Sequence, residues 1–307
     1  MATSVMVLMG GWSSEREVSL VSGKHITEAL TEAGYDVRTH NLRRDIPALI
    51  AALTPPPDVI FNALHGRCGE DGTVQGLLEL LGARYTHSGV LASALAMDKP
   101  MAKRLFIEAG IRCAEHVVAS RKDALSGAVM DPPYVIKPLN EGSSIGVKIV
   151  FGPDEGQDAV AGNEASFPDT VMVERYVRGR EITVAVMGER ALGVTELRPR
   201  EGFYDYSAKY TEGLADHLVP APIPVKAYDE AMRFSELAHR TLGCRGVTRA
   251  DLRYDDTRGE PGEVYLLEIN TQPGMTPMSL VPEAARNADI GFTELVGWMV
   301  ENAACDG

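Results

Sequence analysis

The sequence predicts an α/β protein, α+β in part, made of more than one domain. Three observations lead there. The chain has 307 residues, and a domain takes roughly 100–200. Its first third alternates short β-rich runs with amphipathic stretches, the pattern of a parallel sheet covered on both faces. From Tyr134 onward several β-rich runs follow one another, the first two joined by a short loop as in a hairpin.

The elements follow in order. Val5-Met-Val-Leu8 is a continuous apolar run, so it predicts a buried strand. Glu17 to Ala33 has helical spacing and is closed by Gly34 at a C′ position. Tyr35 to His40 is a second strand. Pro55-Pro-Pro57 marks a turn, and Val59-Ile-Phe61 is a third strand. Thr73 to Leu81 is a helix ending at Gly82. Asp98 is placed to cap a helix running to Ala109, with Pro100 in its first turn and Gly110 behind it. Tyr134-Val-Ile136 and Val147-Lys-Ile-Val150 make a hairpin around a glycine-rich loop, followed by strands at Val171 to Val173 and Ile182 to Val186. Arg198 to Asp216 is a long polar loop, of the kind that closes over a site. A helix (Tyr228 to Leu242), two strands (Val247 to Tyr254 and Val264 to Ile269) and a helical tail complete the chain. Boundaries near 96 and 186 divide it into 1–96, 97–186 and 187–307.

Composition narrows the function. Hydrophobic residues make up 45% and charged residues 24%, enough apolar surface for a folded core. Thirty Lys+Arg against 43 Asp+Glu give a net charge of −13, which disfavours nucleic acid as the main partner. No apolar run approaches the roughly 20 residues of a membrane helix. The N-terminal segment has no basic region and too short an apolar run for a signal peptide, so a cytoplasmic location is expected. Cys68, Cys113, Cys244 and Cys305 form no Cys-x-x-Cys pair, so neither a zinc site nor a disulfide framework is expected.

Several motifs carry chemistry. Lys137-Pro-Leu-Asn-Glu-Gly-Ser-Ser-Ile-Gly146 places Gly142 and Gly146 around Ser143 and Ser144. Its backbone N–H groups, hydroxyls and lysine suit a triphosphate, although an ordinary hairpin loop uses the same residues. Arg249-Ala-Asp251 and Glu268-Ile-Asn270 fall on two neighbouring strands. Alternation puts Asp251 on one face with Arg249, and Glu268 on one face with Asn270. These are hard oxygen donors suited to Mg²⁺; a charged sheet face with Arg249 paired to Asp251 is the other reading. Glu174-Arg-Tyr-Val177 leaves a strand for a linker whose backbone can meet a purine edge, and Glu181 can accept from ribose hydroxyls. Glu15 and Glu17 follow the first strand, where ligands bind in open α/β sheets, but also suit a helix N-terminus. His65 follows the third strand and can polarise a ligand. Cys68, beside Arg67, is read as packing. Lys209 and Tyr210 lie on the long loop.

Together these motifs resemble the D-alanine–D-alanine ligases of the ATP-grasp superfamily along nearly the whole chain. The resemblance rests on Gly10 to Ser19, Ala63 to Gly76, Met97 to Lys103, Val135 to Val147, Val173 to Val186, Tyr204 to Tyr210, Gly246 to Leu252 and Leu266 to Pro282. It implies a three-domain ATP-grasp fold with an N-terminal parallel-sheet domain, ATP gripped between the second and third domains, and a homodimer. The implied reaction joins two D-alanines, with ATP cleaved to ADP and phosphate. By resemblance, Lys99, Lys137, Ser144, Glu174, Tyr176, Val177, Glu181 and Lys209 bind the nucleotide. Asp251, Glu268 and Asn270 hold two Mg²⁺ or Mn²⁺. Glu15, Ser143 and Tyr210 form a chain around the first D-alanine, with His65 nearby. Ser279 and Leu280 take the second carboxylate, and Arg249 with the Gly274 backbone faces the oxyanion. The chain departs from the family at Cys68 and His87, where glycine is usual, and at Met278, where histidine is frequent.

Overall fold

Each of the sheets is built by a different sequence pattern. The computed structural model describes residues 2–142, 146–152, 168–200 and 214–306. The first sheet is parallel, with β1 (Ser4–Gly10) between β2 (Asp36–Leu42) and β3 (Val59–Asn62). The apolar run of β1 is continuous because both of its faces are covered. Val5 and Val7 point to one side, where Ile26 and Leu30 of α1 (Arg16–Glu32) pack; Met6 and Leu8 point to the other, against Leu49 of α2 (Ile46–Ala52) and Leu78 of α3 (Thr73–Leu80). Gly34, at φ 88°, ends α1: its N–H donates to Thr31 and that of Tyr35 to Leu30. This is the αL stop expected from glycine.

A short apolar helix, α4 (Val90–Met97), leads to α5 (Lys99–Glu108), which the Asp98 carboxylate caps by accepting from the Met101 N–H at 3.0 Å. The second sheet is antiparallel. It contains β4 (His116–Ser120), β5 (Tyr134–Pro138), β6 (Lys148–Val150) and β7 (Thr170–Arg175) in the order β4-β7-β5-β6, with α6 (Arg121–Leu125) against Tyr134 and Ile136. The expected hairpin is β5–β6, pairing Ile136 with Lys148.

The third sheet is also antiparallel, in the order β10-β9-β8-β11-β12. Its strands are β8 (Arg180–Met187), β9 (Arg190–Pro199), β10 (Ala215–Leu218), β11 (Val247–Asp255) and β12 (Glu263–Asn270). Phe234 of α7 (Val225–Thr241) and Phe106 of α5 share its core with Val184, Leu252 and Leu266. The tail, α8 (Leu280–Asn287) and α9 (Phe292–Glu301), returns to the first sheet through Ala285, Val296 and Met299. No helix among the described residues is long and apolar enough to cross a membrane.

Two expectations need correction. A boundary near 186 groups β8 with the second sheet, but β8 pairs with β9 and β11. The passage from the second sheet to the third therefore falls between Arg175 and Arg180. The loop expected over 198–216 is shorter at both ends, because Arg198 and Pro199 pair with Asp216 and Ala215 as strand. Residues 201–213 lie outside the described residues.

Candidate active site

The register of β11 and β12 sets Asp251 opposite Glu268 and Arg249 opposite Asn270. The carboxylates thus meet across the two strands, as alternation predicts. The pairing of Arg249 with Asp251 is also formed: Nε and Nη2 donate to the two carboxylate oxygens at 2.8 Å each. Thr183 Oγ1 adds a hydrogen bond to Asp251 at 2.9 Å. Glu268 lies 3.3 Å from Lys99 Nζ. Asn270 Oδ1 accepts from the Gln272 N–H at 2.7 Å. Among the described residues no three His, Cys, Asp or Glu side chains gather as a metal set, so a cation here needs the Asn270 amide beside the two carboxylates. The donors fit Mg²⁺ or Mn²⁺: all are oxygens, and the cations now beside the carboxylates stand where a divalent charge would compensate them.

A second charge cluster joins β5 and β7 to α5. Glu174, on β7, is 2% exposed. One of its oxygens is 2.6 Å from Lys137 Nζ on β5, and the other is 2.5 Å from Lys103 Nζ on α5. Burial works against the Glu174 charge, but the two ammoniums outweigh it and hold its pKa below the ordinary carboxylate value. Lys103 was missed in the sequence as a site residue. It sits four residues after Lys99 on α5, so both lysines share a helix face. Lys99 Nζ donates to the Glu141 carbonyl at 2.5 Å and so ties the loop to β12.

Glu181 pairs across strands with Arg253, 3.5 Å away. The Tyr176 ring packs edge-on against Phe151, and Arg253 lies over it. The linker backbone is partly engaged: the Tyr176 N–H donates to Pro133 O at 3.1 Å, and Val177 O accepts from Arg253 Nε at 3.2 Å. The Tyr176 N–H is thus used within the protein.

On the other side, Glu15 is buried ahead of α1. A Cβ on Gly142 would come 3.4 Å from Glu15 Oε2, which places the carboxylate against the start of the serine loop. His65 is buried, with Nδ1 3.3 Å from Glu70 and Nε2 3.2 Å from Ser22 Oγ. Glu70 and Ser22 were also missed, though Glu70 lies in the motif that contains His65. Ser22 Oγ accepts from the Met275 N–H at 3.3 Å and joins α1 to the segment after β12. In that segment Ser279 Oγ accepts from the Thr276 N–H at 2.9 Å, and a Cβ on Gly274 would lie 2.9 Å from it, closer than real contacts allow. Leu280 opens α8, whose first N–H groups suit a carboxylate. A buried amide bridge fixes the two halves: Asn62 Nδ2 donates to Gln272 Oε1 at 2.7 Å, and Gln272 Nε2 donates to Leu64 O.

These groups line two clefts. One, of about 1010 Å³, contains Glu15, His65, Arg249, Asn270, Gly274 and Ser279 in its wall, together with Leu280. The other, of about 800 Å³, is lined by Lys137, Glu174, Tyr176 and Val177. They meet at Lys99, Glu141, Glu181, Asp251 and Glu268, which line both. Ser143, Ser144, Lys209 and Tyr210 lie outside the described residues. The departures have local causes. Cys68 and His87 adopt φ of 75° and 69°, the left-handed region that favours glycine. Burial, then Asp71, pushes the Cys68 thiol up to about 11, in keeping with a packing role. Met278 lines the larger cleft.

The family described as D-ala D-ala ligase C-terminus matches residues 105–301, and its N-terminal counterpart matches residues 48–88. The D-alanine–D-alanine ligase of Parvibaculum lavamentivorans is 58% identical over 99% of both chains. This chain belongs to the D-alanine–D-alanine ligase family. The ligase of Rhodospirillum rubrum is 54% identical over the full length of both chains. Among solved structures, the D-alanine–D-alanine ligase of Bacillus anthracis superposes with a TM-score of 0.83 at 31% identity, covering 98% of this chain and 97% of that one. The same enzyme complexed with ATP gives a TM-score of 0.82 at 28% identity over the same shares. The ATP-grasp fold, with its parallel first sheet, is therefore that of the ligase family.

Proposed function

We propose that this chain joins two D-alanine molecules into D-alanyl-D-alanine, cleaving ATP to ADP and phosphate, and so supplies a precursor for peptidoglycan. The observation that carries this reading is the meeting of the two clefts at Asp251 and Glu268. A carboxylate is a poor electrophile. In the larger cleft, a D-alanine held by Glu15 through its ammonium presents its carboxylate to that junction, and the smaller cleft brings the γ-phosphate there. The carboxylate oxygen attacks phosphorus, ADP leaves, and an acyl phosphate forms. The second amine, having lost a proton, attacks the acyl carbon and expels phosphate.

The chain's own residues position and stabilise these steps. Lys99 and Lys137 face the phosphates, and Glu181 faces the ribose. Val177 and the linker border the adenine. As the resemblance implies, Ser143 and Ser144 would bind the phosphates, Lys209 the nucleotide, and Tyr210 the chain of contacts around the first D-alanine. Ser279 and Leu280 hold the second carboxylate at the start of α8. Arg249, oriented by Asp251, faces the tetrahedral oxyanion with the Gly274 backbone. Asp251, Glu268 and Asn270 would hold two divalent ions, Mg²⁺ or Mn²⁺, which neutralise charge on the transferring phosphoryl group. A cytoplasmic homodimer, as the resemblance implies, completes the proposal.

A coupled ADP-release assay tests it, run across D-alanine, L-alanine, D-serine and D-lactate with and without Mg²⁺. The expected result is Mg²⁺-dependent release with D-alanine. Preference for L-alanine, or release indifferent to the amino acid, would reject it.

A further inference from the structure

Lys103 has an unusual setting for a lysine. It is fully buried, 2.5 Å from Glu174 and 3.3 Å from the Leu266 carbonyl, and lines neither cleft. Glu174 already has a partner in Lys137, which does line the nucleotide cleft. A pair that served folding alone would need one lysine. With two, the Lys103–Glu174–Lys137 triad carries one uncompensated positive charge in a site screened from water. Among the described residues, the other titratable groups nearby do not cancel it. Burial lowers the His116 pKa and raises that of the Cys113 thiol, so both stay neutral near neutral pH. Glu181, Asp251 and Glu268 each face a cation of their own, at 3.5, 2.8 and 3.3 Å.

We propose that Lys103 is a positioning residue for the nucleotide: by engaging one oxygen of Glu174, it leaves the Lys137 ammonium with a net charge to offer an anionic phosphate. Without Lys103, the Glu174 charge falls on Lys137 alone, and the pair becomes neutral. The effect acts through charge, so it concerns the phosphates and not the nucleoside. The inference rests on the nucleotide reading of the smaller cleft.

The test compares ADP and adenosine binding, by calorimetry or equilibrium dialysis, in the full-length protein. Lys103→Met should weaken ADP by about tenfold while adenosine changes by less than about twofold. Lys103→Gln, which keeps a donor to Glu174 and Leu266 but loses the charge, should give the same pattern and covers the case in which the methionine variant does not fold. Lys103→Arg, which keeps the charge beside Glu174, should bind ADP to within about threefold of wild type. Loss of ADP and adenosine affinity together, unchanged ADP affinity in Lys103→Met and Lys103→Gln, or a loss in Lys103→Arg as large as in Lys103→Gln would overturn the proposal. A wild-type protein that binds neither probe would overturn the nucleotide reading, and the proposal with it.

Discussion

Two charge clusters stand beside each other in this ligase, and burial separates their roles. In the Lys103–Glu174–Lys137 triad the side chains are 0%, 3% and 9% exposed. In the Arg249–Asp251 and Lys99–Glu268 pairs, Asp251 is 14% and Glu268 27% exposed. Charges without access to water cannot exchange partners cheaply, so the triad is a permanent fixture. The partly wet carboxylates at the junction of the clefts can release Arg249 and Lys99 to a ligand or an ion. Similar ion pairs thus form a fixed support that presents Lys137 in one place and an exchangeable working surface in the other.

The most severe break is in the triad. Glu174→Ala leaves two lysines buried without a counter-charge and should cost about 3–5 kcal/mol of stability in urea unfolding. A loss under about 1 kcal/mol would mean the triad is not the fixture described. Glu268→Gln should do the opposite: turnover falls by at least about 100-fold, because ion binding weakens, while the unfolding midpoint stays near wild type. Unchanged Mg²⁺-dependent activity would remove Glu268 from the ion site.

Smaller changes sharpen the contrast. Gln272→Ala strips the Asn62 amide and the Leu64 carbonyl of their buried partner and should cost about 1–3 kcal/mol in unfolding. The Asn270 oxygen keeps its bond to the backbone N–H of residue 272, so turnover should fall much less than in Glu268→Gln. His87 is a buried titratable group. Burial, followed by the nearby His65 and Arg245 charges, lowers its pKa to about 3, although contacts with Val247 and Thr271 oppose the shift. Its folded value lies below the unfolded one, so this stability is complete above about pH 6.5 and is lost as pH falls toward 3. The loss should reach about 1.5 kcal/mol at pH 5.5. In His87→Gly the stability–pH slope between 6.5 and 5 should flatten, although His239, lowered to about 4 by burial, retains part of it. An unchanged slope would place the His87 titration elsewhere.

How legible the molecule is in its sequence follows the same division. Strands buried on both faces, such as β1, show as unbroken apolar runs. The capped helix α5 shows through Asp98 and Pro100. Strand β4 does not show, because its residues are exposed or half-buried. Helix α4 does not show either, because Val-Leu-Ala-Ser-Ala-Leu-Ala-Met has almost no polar face to give it a period. Strand β9 includes Gly193 at φ 146° and a register shift in its pairing with β8, which break the alternation. In the site, alternation alone brought Asp251 and Glu268 together. Lys103 escaped because lysine is read as a surface residue, although its spacing from Lys99 was visible. The left-handed turns at Cys68 and His87 could be suspected only where glycine was usual in the family.

The central claim, that a carboxylate is phosphorylated where the two clefts meet, is tested most directly with D-alanine labelled with ¹⁸O in its carboxyl group. Attack by that oxygen on the γ-phosphate, followed by expulsion of phosphate from the acyl carbon, carries one labelled oxygen into inorganic phosphate for each dipeptide formed. Label in the released phosphate at that stoichiometry is the result expected. Dipeptide formation with unlabelled phosphate would contradict the account.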